Sequence, residues 1–336
     1  MMKVTFYFNN NIIEDFNEIW TNRILFEKIE NLELSSPCDI FLIQPSYEND
    51  SPFEIIKSLD KTKKIILWYM DTLSEEFYGL QQLKIKELCK LEYDVSVIIP
   101  DFHLNGYDLP CDVFNNYSMA DCILEEQQID HKNIMEMRAQ SESIYREKYF
   151  LSYNGNLKKH RMDLVSHIKE NDIMDKFDIS FNSFFWNNNK ESMHLDLKEK
   201  SYYTSTKLNL PLYFNSYFDV VTFSKYETND VYIDEKLYRS FACFKPFIII
   251  AQPYTLTILK DLGFKTFEKF IDESYDDETD NDKRIQMVFD EIDKISKMKV
   301  DEVDTLYNRM KSVLDHNYSR LQRYIRKVDS QILEIF

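Results

Sequence analysis

Short apolar runs alternate with amphipathic segments along most of this chain, and that alternation constrains its fold more than any other feature. Residues 3–9, 38–45, 63–70 and 94–101 are near-continuous apolar runs that close on polar residues or proline, the pattern of strands buried on both faces. Between them, segments 13–31, 52–61 and 72–92 carry helical spacing, the last with Leu73, Phe77, Leu80, Leu83, Ile85 and Leu88 set among charges. Strand and helix in regular succession predict right-handed βαβ units and a doubly wound parallel sheet. A second series starts at 148–154, continues through 218–223 and 246–250, and is interleaved with helices near 158–170, 234–244, 254–262 and 280–298.

With 336 residues the chain can bury two cores. The expected organisation is an α/β domain over 1–125, a connecting helix over 126–147, a second α/β domain over 148–300 and a C-terminal helix over 301–336. Residues 183–215, rich in Asn, Tyr, Ser and Lys, read as an irregular insertion.

Composition removes several classes of function. Hydrophobic residues at 44% and aromatics at 15% exclude a disordered chain. No apolar run reaches the roughly 18 residues of a membrane span, and the chain opens directly on a strand, so a soluble cytoplasmic protein is expected, in the host cytoplasm if viral. The five cysteines, Cys38, Cys89, Cys111, Cys122 and Cys243, show no CxxC spacing and read as small buried thiols, with neither a disulfide framework nor a zinc site. A net charge of −17 opposes broad attraction to nucleic-acid backbones or anionic membranes, leaving only a local basic patch such as Lys57, Lys61, Lys63 and Lys64. Only four glycines occur, Gly79, Gly106, Gly155 and Gly263, which excludes GxGxxG and P-loop cradles. Any phosphate must be held by side chains and helix N-termini.

The segment from Asp230 to Ile249 is the most informative: a helix that Asp234 can cap, followed at once by a buried strand. Glu235 and Lys236 then stand in the first helical turn, where free N–H groups and the positive end of the dipole lie. Glu there suits ribose hydroxyls and Lys a diphosphate; the plainer reading is an ordinary capped helix with a surface lysine. Earlier, Tyr149-Phe150-Leu151-Ser152-Tyr153-Asn154-Gly155 runs into Lys158-Lys159-His160-Arg161. Loop amides and a basic helix start there can converge on a pyrophosphate, and the planar fork of Arg161 matches two oxygens better than Lys158 or Lys159. The plainer reading leaves His160 and Arg161 facing solvent.

The Asp234-Glu235-Lys236-Leu237 segment with its Lys245-Pro246-Phe247-Ile248-Ile249 continuation resembles the donor motif of the α1,3-fucosyltransferase and exostosin-like glycosyltransferases, with Asp234 where those families carry Thr. Leu262-Gly263-Phe264 and Phe270 to Asp276 resemble their continuation in viral and bacterial members. The resemblance implies a GT-B-like fold, two Rossmann-like domains facing across a cleft. It implies that Glu235 holds the nucleotide ribose and Lys236 the diphosphate, with Asn154, His160, Arg161 and Tyr232 completing the donor site. The implied reaction moves a sugar from a nucleotide-sugar donor to an acceptor hydroxyl, on a glycan or on a hydroxymethylated pyrimidine of viral DNA.

Asp280-Asn281-Asp282 spells DxD, the metal-binding pattern of single-domain transferases, but it sits in an acidic run leading into a helix rather than at the end of a strand. It reads as a solvated loop, and no metal or other cofactor is expected. The catalytic base is expected at the C-terminal edge of the first sheet. Asp71 leads the candidates because Trp68 and Tyr69 offer a stacking face; Asp101, His103 and, more weakly, Glu75 follow, and Asp71 with Thr72 and Glu75 also reads as a helix cap. A non-catalytic sugar- or nucleotide-binding relative of the same fold and an acidic interaction protein are the rival readings.

Overall fold

The structure is a computed structural model, and it describes residues 4–8, 11–13, 40–43, 51–58, 61–62, 64–69, 75–99, 101–103, 108–115, 123, 127, 130–142, 145–154, 158–180, 208–228 and 230–333. The chain divides into two compact units, residues 1–122 with 325–336, and residues 123–324. No helix among the described residues is long and apolar enough to cross a membrane.

The first unit is built on a six-stranded sheet. Its strands are β1 (Val4–Phe8), β2 (Asn11–Ile13), β3 (Ile40–Ile43), β4 (Lys64–Trp68), β5 (Asp94–Ile99) and β7 (Asp112–Asn115), and a short β6 (Asp101–His103) follows β5 outside this sheet. The order is β2-β1-β3-β4-β5-β7; β1 and β2 form an antiparallel pair and every other pairing is parallel. Helix α1 (Ser51–Ser58) links β3 to β4, and α2 (Glu75–Lys90) links β4 to β5.

The parallel strands lie side by side in chain order, so the winding never reverses among them. This corrects the doubly wound sheet expected here. Right-handed crossovers that always step the same way leave their helices on one face. The packing agrees: Phe53 and Ile56 of α1 and Ile85 and Leu88 of α2 join one apolar cluster with Ile65 and Leu67 of β4 and Val95, Val97 and Ile99 of β5. On the other face Ile66, Ser96 and Ile98 are also buried, which is why these strands read as unbroken apolar runs.

The second unit does reverse. Its elements are α3 (His131–Ser141), β8 (Lys148–Tyr153), α4 (Lys159–Glu170), β9 (Phe177–Ser180), α5 (Leu210–Asn215), β10 (Ser216–Thr222), β11 (Asp230–Tyr232), α6 (Glu235–Ala242), β12 (Phe247–Ile250), α7 (Thr255–Asp261), α8 (Asn281–Ser296) and α9 (Val300–Leu333) as far as Tyr324. The parallel sheet runs β12-β10-β8-β9: after β8 the chain lays β9 on one side, then β10 and β12 on the other. Every residue of β10 and β12 is buried. Each large apolar side chain so placed is worth about 1.5–3 kcal/mol.

Helix α9 lays Val303, Tyr307, Met310, Leu314, Tyr318, Leu321 and Tyr324 along one buried stripe. Tyr318 stacks on Phe244 at 4.1 Å, and the Asn317 amide bonds both the N–H and the carbonyl of Lys265 at 2.8 Å. Gly263 closes α7 at φ 82°, a left-handed backbone that favours glycine, with the Arg320 guanidinium 2.8 Å from where a Cβ would lie. The insertion expected over 183–215 lies outside the described residues as far as 207; its end forms α5, which buries Leu210, Tyr213 and Phe214.

Candidate functional site

Where winding reverses, successive helices leave the sheet on opposite faces and open a crevice at the C-terminal strand ends. In the second unit that point lies between β8 and β10. The residues singled out from sequence gather there.

Asn154, directly after β8, joins three strand ends. Its N–H donates to the Ser180 carbonyl at 3.2 Å and the Ser180 hydroxyl at 3.0 Å, its Nδ2 to Ser152 Oγ at 3.1 Å, and its Oδ1 accepts from Thr222 Oγ1 at 2.7 Å. Helix α4 then brings two side chains to the end of β10. His160 Nε2 donates to the Phe223 carbonyl at 3.0 Å while its ring stacks on Tyr226. Arg161 Nη2 donates to the carbonyls of Thr222 and Phe223, both at 3.2 Å. Burial pushes the His160 pKa down to about 3, so the ring is neutral with its proton on Nε2. Neither residue faces solvent, and the Arg161 fork expected on a pyrophosphate is turned to two main-chain carbonyls, with 2% of the residue exposed. The physical reason is that carbonyls at a buried strand end need donors, and α4 supplies them. Lys158 Nζ donates to the Ser224 carbonyl, and Lys159 pairs with Asp163 at 2.9 Å and Asp282 at 3.4 Å.

On the opposite face α6 begins after β11, whose last residue, Tyr232, is half-buried. Asp234 caps the helix. Its carboxylate, fully buried, accepts from Lys236 N at 3.2 Å, from Ser224 N and Oγ at 2.8 Å, and from Lys236 Nζ at 2.6 Å. Burial alone would raise its pKa, but the Lys236 ammonium and these donors hold it well below the usual carboxylate range. Glu235 lies between Lys236 Nζ at 3.3 Å and Arg239 Nη2 at 3.4 Å. Burial, then the Asp234 charge, pushes its pKa up to about 7. Glu235 and Lys236 retain 13% and 11% side-chain exposure, so they are the members of this cluster that reach the surface.

Three supporting groups were not singled out from sequence. Asp219, inside β10, accepts from Ser240 Oγ at 2.6 Å, and burial raises its pKa to about 7; a lone acid in an apolar run was the available signal. Arg284 donates to the carbonyls of Ala251, Tyr226 and Glu278 at 2.9–3.0 Å and to Asn281 Oδ1 at 2.6 Å, joining the turns beyond β10 and β12. Asp276 caps α7, accepting from Leu256 N at 2.8 Å and from Thr257 N and Oγ1 at 2.9 and 3.1 Å. Nothing in the local sequence distinguishes these last two from surface charges.

The DxD residues lie at the start of α8, where Asp280 is the cap and accepts from Lys283 N at 3.0 Å. Among the described residues no three His, Cys, Asp or Glu side chains gather in a metal-binding group. In the first unit, Asp101 and His103 begin and end β6, Glu75 opens α2, and Asp71 lies outside the described residues. Compared with family models, curated proteins and solved structures, the chain matches none.

Proposed function

We propose that this chain is a nucleotide-sugar-dependent glycosyltransferase of the two-domain, GT-B-like kind, whose second unit holds the donor nucleotide at the C-terminal edge of its sheet. One observation carries the reading: the Asp234-Glu235-Lys236 helix start and Asn154 both stand beside the end of β10, where the winding reverses. The positive end of the α6 dipole and the Lys236 ammonium suit a diphosphate, and Glu235 suits ribose hydroxyls. A bound diphosphate takes over Lys236 from Glu235, whose near-neutral pKa lets it shed or take a proton as its partner changes. Asn154, His160 and Arg161 serve as struts that hold the strand ends in place. Neutralisation of the leaving diphosphate by Lys236 and the helix start makes a divalent metal unnecessary. The first unit supplies the base, Asp71 first among the candidates, and the acceptor is a glycan or a modified pyrimidine of viral DNA.

The test is a thermal-shift panel of UDP-, GDP-, CMP- and dTDP-sugars, followed by turnover with and without EDTA. A matching donor at 100 times its Kd adds about 2.7 kcal/mol of stability. A shift followed by EDTA-resistant transfer supports the reading, a shift without turnover leaves a binding module, and no shift across the panel removes the donor site.

A further inference from the structure

We propose that Cys89 and Cys111 form a reversible dithiol–disulfide pair in the first unit, a modification site at which an oxidant closes a covalent ring around residues 90–110. The two are far apart in sequence and share no motif. Cys89 stands in the last turn of α2 and Cys111 directly before β7. Both are free thiols, both are half-buried, and both pack against the apolar cluster between α2 and the sheet. Each thiol also influences the other's ionisation.

An ion pair between the same two segments fixes their register. One turn earlier on α2, Lys86 Nζ meets Asp108 at 2.5 Å, so residues three apart on the helix meet residues three apart on the segment entering β7. That segment is anchored in turn, because Asp112 pairs with Ser96 of β5. The thiols are therefore held together from both sides, by a packed helix on one and a paired strand on the other. The ring so closed contains β6, with Asp101 and His103.

The chemistry balances with a peroxide. One thiolate sulfur attacks the O–O bond and becomes a sulfenic acid as the first water leaves. The second thiol attacks that sulfur, forming the S–S bond and releasing the second water, so two thiols lose two electrons and one hydrogen peroxide becomes two waters. Burial raises both thiols, and the Cys89 sulfur adds to the effect at Cys111, which lies at about 12. The thiolate is the attacking form, so cross-linking accelerates as pH rises. In a reducing compartment the pair stays open until an oxidant appears.

The experiment uses the reduced full chain treated with hydrogen peroxide, then alkylated under denaturing conditions, digested and analysed by mass spectrometry. The expected product is one intramolecular Cys89–Cys111 peptide, with three of the five cysteines still alkylated, full reversal by dithiothreitol and a raised Tm. Cys111→Ser removes the cross-link and the Tm gain and leaves Cys89 as a sulfenic acid; Cys89→Ala provides the same control if the first variant folds poorly. Alkylation of both residues after the remaining cysteines have oxidised, cross-linking of either to Cys38, Cys122 or Cys243, or a disulfide that leaves Tm unchanged overturns the proposal. None of these readouts depends on transferase activity.

Discussion

Lys236 is the cation closest to two carboxylates, one fully buried, and this makes its role measurable. Lys236→Ala is expected to weaken binding of the matching nucleoside diphosphate by about 1.5–3 kcal/mol, the scale of a charge-assisted hydrogen bond. It also strands the Asp234 carboxylate, at a cost on the order of 3–5 kcal/mol of stability. The double variant Lys236→Ala with Asp234→Thr separates the two effects, because Thr also caps a helix and carries no charge. Calorimetry should show weak binding in both variants, with stability restored in the second; unchanged affinity takes Lys236 out of the donor site.

His160 gives a second measurement at this scale. Its folded pKa of about 3 lies below the ordinary 6.5, so between those values the unfolded chain binds a proton that the folded chain does not. Stability from this group is therefore complete above pH 6.5 and falls as pH drops, by about 1.4 kcal/mol per unit. In His160→Gln the amide can still donate to the Phe223 carbonyl, but nothing titrates. The stability gap between wild type and variant should shrink by about 2 kcal/mol from pH 7 to pH 5 in denaturant unfolding. A gap independent of pH refutes the buried neutral ring.

Among the elements, those with a continuous apolar run were legible, the four-residue β3 and β12 included, and strands without one were not. β10 was read from Phe218 to Phe223 because burial on both faces leaves a continuous run. β7 and β9 span only four residues each, and each is a strand because a neighbour pairs with it. α7 was read near 254–262, but its cap was not, since Asp276 lies beyond the helix it caps, 20 residues from Leu256. Asp276→Ala is expected to cost about 2 kcal/mol or more, as three donors lose an acceptor in a buried setting, and Asp276→Asn should recover part of it. Chemical denaturation tests this, and near-wild-type stability in the Ala variant excludes the cap.

For the whole molecule, the division of labour makes a kinetic prediction. If the first unit supplies the base, Asp71→Asn lowers kcat by about 10² to 10⁴ and leaves donor affinity nearly unchanged, because a base acts in the transition state. If Asp71 only caps a helix, Asn caps as well and turnover persists. Near-normal turnover there, with a large loss in Asp101→Asn or His103→Ala, moves the role to β6.

The sequence by itself determined that two largely parallel sheets form, where most of their strands and helices lie, and that Asp234, Glu235 and Lys236 open a helix. Those outcomes follow from local periodicity and capping, which each segment carries within itself. Tertiary structure decided the rest. Strand order separates the one-way winding of the first sheet from the reversal of the second, and both orders are compatible with the same alternation of elements. The partners of Arg161, the burial of His160 and the meeting of Cys89 with Cys111 depend on which chain segments become neighbours, and a side chain's type records what it can bond but not what arrives beside it.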